Sequence, residues 1–299
     1  MELLLAKEAF ESSKSSAIIT FFDSKQQTAV DLLTAFVVHR AAVSPRAFVH
    51  FLCFERKPRF WKTRLEDKLA NRIHFYDFWY DAFGWNDPSR LLEAQTVINA
   101  VQTTLKNPAC SASSCNEHVL VFDASTLLLL TIPANELCLL LVGISDKLSE
   151  ELGRPVTSSV AVLHHSDIFD EYSEKALKVI STSSISVASA TQTPRHEKEF
   201  LCTITSKSQQ ASVLRKAEKI IVNSEWIPRF EKADLSRPVV AEAPRVEPDP
   251  TANIPFNLRL TEEQRAARSA VPLPHTKGAG VIYYEPDEAD DIDYEDPDE

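Results

Sequence analysis

Residues Glu117–Ser166 read EHVLVFDASTLLLLTIPANELCLLLVGISDKLSEELGRPVTSSVAVLHHS, and this stretch decides the fold. It starts with a mostly apolar run, His118–Phe122, that stops at Asp123. Such a run is typical of a strand buried on both faces of a parallel sheet. Apolar residues then recur at helical spacing over 136–152, and a second β-branched run covers 156–163. A strand, a helix and a second strand form the crossover unit of an α/β domain.

The flanking segments fit around this unit. We predict one α/β domain over residues 1–226, with a mostly parallel sheet between helices. Helices are expected at 2–11, 28–39, 89–105 and 167–179, and strands at 17–22 and 47–54. Three further β-rich runs cover 182–190, 198–206 and 212–222. The last two are separated by a short polar turn, which predicts an antiparallel hairpin at the edge of the sheet.

Composition limits the functional classes. The chain has 299 residues, of which 44% are hydrophobic, so it can bury a sizeable core. The formal net charge is -11, and ten acidic residues without a Lys or Arg lie between Glu285 and Glu299. The rest of the chain is therefore nearly neutral. Five cysteines at irregular spacing favour a reducing compartment. We find neither a signal peptide nor a membrane span, and expect a cytoplasmic and nuclear protein.

The composition changes after residue 226. Residues 227–253 are rich in proline and charge and are predicted to be a linker. Residues 254–274 combine an alternating apolar run, Phe256, Leu258 and Leu260, with a capping box that starts at Thr261. We interpret this segment as a docking element with a short helix. Residues 275–299 are predicted to form an acidic, disordered tail.

A nucleotide-binding site is a natural hypothesis for an α/β domain. Lys25 and Thr28 follow the first predicted strand, where a phosphate-binding loop would lie. That loop requires glycines, and the first glycine of the chain is Gly84. Asp123 follows an apolar strand, and in many ATPases an Asp at such a strand end holds a magnesium-bound water. Without the loop, we favour a helix start and a turn-capping Asp, and predict no cofactor.

Two other groups of polar residues suggest weaker sites. Cys110 and Cys115 precede His118, but a structural zinc site requires about four ligands in paired spacing, so we predict no metal. His164, His165 and Asp167 close a predicted strand. A histidine beside an aspartate suggests acid–base chemistry, but no nucleophile or oxyanion motif accompanies them. We therefore interpret them as a polar strand end.

Aromatic and basic residues are concentrated between residues 56 and 85. Such a mixture fits a protein interface or an RNA contact, and we favour the interface. The candidate docking residues here are Trp61, Trp79 and Trp85. The candidate RNA contacts are Arg56, Lys57, Arg59, Lys62 and Arg64, together with Arg215 and Lys216 on the hairpin. The alternative for the hairpin cations is a solvated strand edge.

The end of the sequence resembles a known family. Residues 256–268 read FNLRLTEEQRAAR, Leu273-Pro274 follows, and residues 282–298 read IYYEPDEADDIDYEDPD. This pattern resembles the tail of the Elongator complex protein 5 family. The resemblance is sharp over about 45 residues and looser over the preceding 200.

The resemblance implies a RecA-like fold without functional nucleotide-binding motifs. It also implies a hetero-hexameric ring with the fourth and sixth Elongator subunits. That ring docks on the catalytic subcomplex, which modifies wobble uridines of transfer RNA, and it is described for the family as contacting transfer RNA. The chain would then be a non-catalytic scaffold. The alternatives are a divergent ATPase that uses Lys25 and Asp123, and an acidic-tail chaperone or adaptor.

Overall fold

A computed structural model describes residues 4–12, 17–105, 117–153, 157–168, 170–192, 197–207 and 213–233 of the chain. Three sequence predictions lie outside these ranges. They are the docking segment with Phe256, Leu258 and Leu260, the acidic tail, and the cysteine pair Cys110 and Cys115. Residues 234–253 of the predicted linker also lie outside.

The described ranges contain seven α-helices and nine strands. The helices are α1 (Leu5–Glu11), α2 (Val30–Val43), α3 (Pro58–Leu69), α4 (Ala94–Leu105), α5 (Thr126–Thr131), α6 (Ala134–Leu152) and α7 (Glu171–Ile180). The strands are β1 (Ala17–Asp23), β2 (Ala47–Cys53), β3 (Ile73–Asp77), β4 (Glu117–Phe122), β5 (Thr157–His165), β6 (Ser183–Gln192), β7 (Lys198–Lys207), β8 (Val213–Val222) and β9 (Pro228–Lys232). None of these helices is long and apolar enough to cross a membrane.

All nine strands belong to one sheet, in the order β3-β2-β4-β5-β1-β6-β7-β8-β9. Neighbours from β3 to β6 pair in parallel, and neighbours from β6 to β9 pair antiparallel. This architecture confirms the predicted RecA-like class, a mostly parallel sheet with an antiparallel edge. The two strands predicted at 118–122 and 156–163 are β4 and β5, which pair with each other near the centre of the sheet.

The central parallel strands β1, β2, β4 and β5 are buried on both faces, as their mostly apolar sequences predict. Every residue of β1 and β2 is buried. Side chains from α1, α2 and α3 pack on one face, and side chains from α4, α6 and α7 pack on the other. Two hydrophobic cores therefore hold the sheet rigidly, and the ends of its central strands keep fixed positions.

A remote carboxylate attaches the first helix to the sheet. Glu218, on β8, is 1% exposed and accepts hydrogen bonds from the amides of Leu5 and Ala6, both at 2.8 Å. These amides are at the N-terminus of α1, where amides have no partner within the helix and the helix dipole favours an anion. The buried charge of Glu218 is therefore satisfied by α1.

The structure differs from the sequence expectations at three elements. Strand β9 lies inside the range that the sequence assigns to the linker. It packs on the domain through Phe230, whose ring centroid lies 5.1 Å from that of Phe10. Its first residue is Pro228, which an edge strand tolerates because the missing N–H is not needed for pairing with a further strand. The helix predicted from Ser89 begins at Ala94, after a short 3₁₀ turn. Strand β3 adds an edge that the sequence left unassigned.

Candidate functional site at the carboxyl edge of the sheet

The parallel strands end at one edge of the sheet, where α/β proteins bind their ligands. β1 ends at Asp23 and β5 at His165, which are register partners. Asp123 directly follows β4, and Glu55 lies two residues after β2. The sheet therefore brings three carboxylates and an imidazole together at the position of a nucleotide site.

The loop between β1 and α2 lies where a phosphate-binding loop would be. Its Ala29 amide donates to Oδ2 of Asp23 at 2.7 Å, and its Lys25 amide donates to Oδ2 of Asp167 at 2.7 Å. Ser24 and Gln27 bond to each other through their backbones. Carboxylates of the chain thus occupy amides that would otherwise be available to phosphate oxygens.

Asp123 is committed to the loop that follows β2. It is 1% exposed and accepts hydrogen bonds from the amides of Phe54 (2.6 Å), Glu55 (3.1 Å) and Arg56 (3.1 Å), and from Nε1 of Trp61 (3.0 Å). Burial raises the pKa of Asp123 to about 6, while these four donors favour the ionised form. The carboxylate fixes the β2–α3 connection, whereas the sequence led us to expect an Asp that caps the turn directly after it.

His165 bridges two carboxylates across this edge. Its Nδ1 donates to Oδ1 of Asp23 at 2.5 Å, and its Nε2 donates to Oε2 of Glu55 at 2.7 Å. Burial alone would lower the pKa of His165, but the two carboxylates outweigh it and raise the pKa to about 10. The hydrogen bond from His165 lowers the pKa of Glu55. The ring is therefore an imidazolium at neutral pH and joins β5, β1 and the β2–α3 connection.

The neighbouring His164 has the opposite electrostatic character. It is fully buried, and its Nδ1 lies 2.8 Å from the Ser125 hydroxyl. Burial lowers the pKa of His164 to about 4, so this ring is neutral at neutral pH. The paired histidines form the polar strand end that the sequence predicts, and the side chains that face them hold both rings in place.

The histidine of the weak zinc hypothesis is part of a buried network. His118 Nδ1 lies 3.0 Å from His50 Nε2, and His50 Nδ1 lies 2.7 Å from the Tyr76 hydroxyl. Burial lowers the pKa of His50 well below its usual value. Among the described residues, no cluster of three or more His, Cys, Asp or Glu side chains is arranged to hold a metal ion.

An exposed aromatic loop borders this edge. Trp85 is 85% exposed and stacks on Phe83 at 5.3 Å, and Trp79 and Tyr80 are also exposed. A cavity of about 340 Å³ separates the loop from Leu130 of α5. We call the four aromatic side chains of this loop, Trp79, Tyr80, Phe83 and Trp85, the aromatic patch. Patches of this kind mark binding surfaces on soluble proteins.

The loop that carries the aromatic patch is held in one conformation. Asp81, at φ 58°, accepts hydrogen bonds from the amides of Asn86 (3.1 Å) and Asp87 (2.8 Å). Gly84 has φ +65°, and a side chain on it would come within 3.2 Å of the Pro88 backbone. Glycine is therefore required at this turn. The aromatic side chains are presented on an ordered loop, which reduces the entropy lost on binding.

The prediction that Trp61 belongs to the docking surface is wrong. Its side chain is 0% exposed and packs on Phe51 at 4.6 Å. The indole N–H donates to Asp123, 62 residues away in sequence. A buried tryptophan needs such a partner, and this one appears only when β2 and β4 are adjacent. Trp79 and Trp85 remain on the surface, as predicted.

The basic residues around α3 mostly contact aromatic rings. Arg56 and Arg64 lie over the Phe60 ring, at 4.7 and 3.9 Å from its centroid. Lys57 lies 4.4 Å from the Trp79 ring, and Lys62 lies 5.9 Å from the Phe75 ring. Arg59 is exposed. These side chains form a cation–aromatic surface beside the patch, and their proposed contact with RNA stays a prediction.

Arg215 and Lys216 do not form one patch. Both lie on β8, where successive side chains point to opposite faces of the sheet. Arg215 is exposed and pairs in register with Thr205, whereas Lys216 pairs with the buried Ile204. The sequence placed both in one candidate RNA contact, and the strand separates them.

Sequence reasoning considered Asp123 and His165 separately and missed the role of Asp23 and Glu55. The sequence alone singles out neither Asp23 nor Glu55 as a candidate site residue. The available signal was their position, since each lies at or just after the end of a strand, and parallel strands bring such residues to one edge. The hydrogen bonds of Asp123 and His165 join residues that are between 62 and 142 positions apart in sequence.

Comparison with known proteins identifies the family. The family model described as "Elongator subunit Iki1" matches residues 5–227, which include nearly all of the described sheet. The chain belongs to the Elongator subunit Iki1 family. This family assignment rests on the body of the chain, whereas the sharpest part of the resemblance lies in the tail.

The relatives that this chain resembles in sequence match it over most of its length. Elongator complex protein 5 of Danio rerio is 26% identical over 306 residues, 98% of each chain. Its Homo sapiens counterpart is 22% identical, over 94% of this chain and 95% of that one. Among solved structures, a KaiC-like protein, PH0186, of Pyrococcus horikoshii OT3 has a TM-score of 0.44 and 11% identity, covering 72% of this chain and 89% of that one. FlaH of Methanocaldococcus jannaschii has a TM-score of 0.47 and 9% identity, covering 77% and 95%.

Proposed function

We propose that this chain is a non-catalytic structural subunit of Elongator. It bridges RecA-like partners, the fourth and sixth subunits, in a hetero-hexameric ring that supports modification of the transfer-RNA wobble uridine. Family membership supports the role in Elongator. The observation that carries the non-catalytic part is the β1–α2 loop, whose Lys25 and Ala29 amides are bonded to carboxylates of the chain itself.

The aromatic patch supports the bridging role. Exposed tryptophan and tyrosine side chains on an ordered loop are the residues that dominate the binding energy of protein interfaces. The patch lies at the carboxyl edge of the sheet, next to Glu55 and Phe54. In this proposal the edge that other α/β proteins use for a ligand is used for a neighbouring subunit.

Co-expression of the full chain with the fourth and sixth subunits tests the proposal. We expect the wild-type chain to co-purify with both. Trp85→Ala should weaken the association by about thirtyfold, because a central interface tryptophan contributes about 2 kcal/mol or more. Retention of the partners on the immobilised chain, measured over a dilution series, gives the affinity.

Tyr172→Ala is the matched control. Tyr172 is 66% exposed on α7 and is not part of the aromatic patch. It should retain both partners at the wild-type level. A chain that stays monomeric in the presence of both subunits would refute the bridging role. Equal retention by Trp85→Ala and the wild type would remove the aromatic patch from the interface.

A further inference from the structure

A second surface, remote in sequence from the aromatic patch, has a different chemistry. A cavity of about 220 Å³ lies on β6, β7 and β8 beside the C-terminal end of α7. Its lining consists of hydroxyl side chains and three basic side chains, without a carboxylate. The lining residues are Ser181, Ser184, Ser186, Thr203, Thr205, Lys178, Lys207 and Arg215. We call this cavity the hydroxyl pocket.

The strand register builds the floor of the pocket. Ser184 is opposite Thr205, and Thr205 is opposite Arg215, so one row crosses three strands. Ser186 opposite Thr203 forms the next row. Residues directly opposite on antiparallel strands share a face, with Cβ atoms about 5 Å apart. Several hydroxyl groups are therefore presented together on one face.

Two lysines close one side of the pocket. Lys207 donates to the carbonyl oxygens of Lys178 (2.7 Å) and Val179 (2.5 Å) at the end of α7. Lys178 pairs with Glu174 and lies 5.0 Å from the Phe22 ring centroid. These contacts hold both side chains in place. The carboxylate of Glu174 compensates one of the three positive charges.

A polar outer face is normal for an antiparallel sheet in contact with water. This pocket differs from the rest of the same sheet in how its cations are paired. Lys219 pairs with Glu199 at 2.9 Å, and Arg229 pairs with Glu197 at 2.8 Å. The Arg215 guanidinium, in contrast, has no hydrogen-bond or salt-bridge partner among the described residues. Its charge is available to an anion.

We propose that the hydroxyl pocket binds a phosphate group of an RNA backbone. Arg215 supplies a planar fork that matches two phosphate oxygens, and the lysines add charge. The serine and threonine hydroxyls supply neutral donors, which are frequent in contacts to phosphate. A site of this kind positions an RNA without reading its bases.

The claim that the bound phosphate belongs to RNA rests on the proposed function. The claim that the pocket binds phosphate does not. The first measurement therefore uses inorganic phosphate and the full chain. Amide chemical shifts of Ser184, Thr203 and Thr205 should move on titration. In Arg215→Gln the apparent affinity should fall by about tenfold, the usual loss for one charge-assisted hydrogen bond.

Lys216→Gln is the matched control, because it removes the same charge from the adjacent residue on the opposite face of β8. It should change the affinity by less than twofold. Thr205→Val, which removes a hydroxyl at nearly constant volume, should weaken binding and leave the charge unchanged. Unmoved amides, or equal losses in Arg215→Gln and Lys216→Gln, would overturn the site.

The second measurement uses transfer RNA over a range of salt concentrations. Arg215→Gln should weaken binding and reduce the slope of log K against log salt by about 1, whereas Lys216→Gln should retain the wild-type slope. Unchanged RNA binding in Arg215→Gln would overturn RNA as the source. Partner retention by Arg215→Gln should remain at the wild-type level, which separates this test from that of Trp85→Ala.

Discussion

At the residue scale, the carboxyl edge of the sheet is organised by carboxylates that accept hydrogen bonds from the protein itself. Asp23, Asp123 and Glu55 each have donors within 3.1 Å. Asp23 and Asp123 are buried, and a buried carboxylate is stable only when such donors compensate the loss of its hydration. The same donors are then unavailable to a phosphate. These three residues thus explain why the edge is rigid and why we expect it not to bind a nucleotide.

The adjacent histidines predict two widely separated titrations. His165 should titrate near its pKa of about 10 and His164 near its pKa of about 4. NMR of histidine-labelled protein across the pH range measures both. His165→Gln and Ser125→Ala assign the signals, since each removes or perturbs one ring environment. Two histidines that both titrate near 6.5 would contradict the geometry of this edge.

The same values give a dependence of stability on pH. The pKa of His165 is raised on folding, so its contribution is full below about 6.5, the unfolded value, and is lost as pH rises to about 10. The free energy of unfolding of the wild type, relative to His165→Gln, should therefore fall between pH 7 and pH 10. Thermal unfolding of both proteins measures it. A difference that grows over this range would contradict the imidazolium assignment.

Asp123→Asn tests the role of the carboxylate behind β4. An amide cannot accept from four N–H donors, and its own NH₂ group would face some of them. We expect a loss of about 2 to 3 kcal/mol in the free energy of unfolding, measured with urea. Asp67→Asn, an exposed position on α3, is the control and should change stability by less than about 0.5 kcal/mol. Equal stabilities of the two variants would contradict the assigned role.

At the scale of elements, the central strands could be predicted from the sequence and the edge strands could not. β1, β2, β4 and β5 are mostly apolar and almost entirely buried because both of their faces are covered. β3 and β9 lie at the edges, are half exposed, and lack that pattern. The prolines after residue 226 also concealed β9, although an edge strand tolerates a proline at its first position.

The candidate site was predictable only in part, for a related reason. Trp85 is exposed and Trp61 is buried, yet both occur in an aromatic-rich segment. The burial of Trp61 depends on its hydrogen bond to Asp123, which directly follows another strand, β4. Likewise, the alternation of β8 separates Arg215 from Lys216, but only the pairing with β7 shows which of the two faces the hydroxyl pocket.

The attachment of α1 gives a prediction about one element. Glu218→Gln keeps the shape of the side chain but removes the charge that two amides of α1 share. We expect faster hydrogen exchange at the amides of Leu5 and Ala6, by about tenfold, with little change in the central strands. Glu231→Gln, on exposed β9, is the control and should leave these amides protected. Unchanged exchange in Glu218→Gln would show that α1 is held by apolar packing alone.

At the scale of the whole molecule, the sheet has a RecA-like architecture, but side chains of the protein itself occupy the carboxyl edge where related folds bind a ligand. Two cores keep this edge rigid, and the aromatic patch beside it remains exposed. The family assignment and this arrangement together favour assembly over nucleotide chemistry.

Calorimetric titration of magnesium–ATP into the purified full chain tests this account most directly. The account predicts no heat beyond that of dilution up to about 1 mM nucleotide, because the Ala29 and Lys25 amides are bonded to Asp23 and Asp167. Stoichiometric binding of ATP below that concentration, with loss of the hydrogen bond between Ala29 and Asp23, would contradict it.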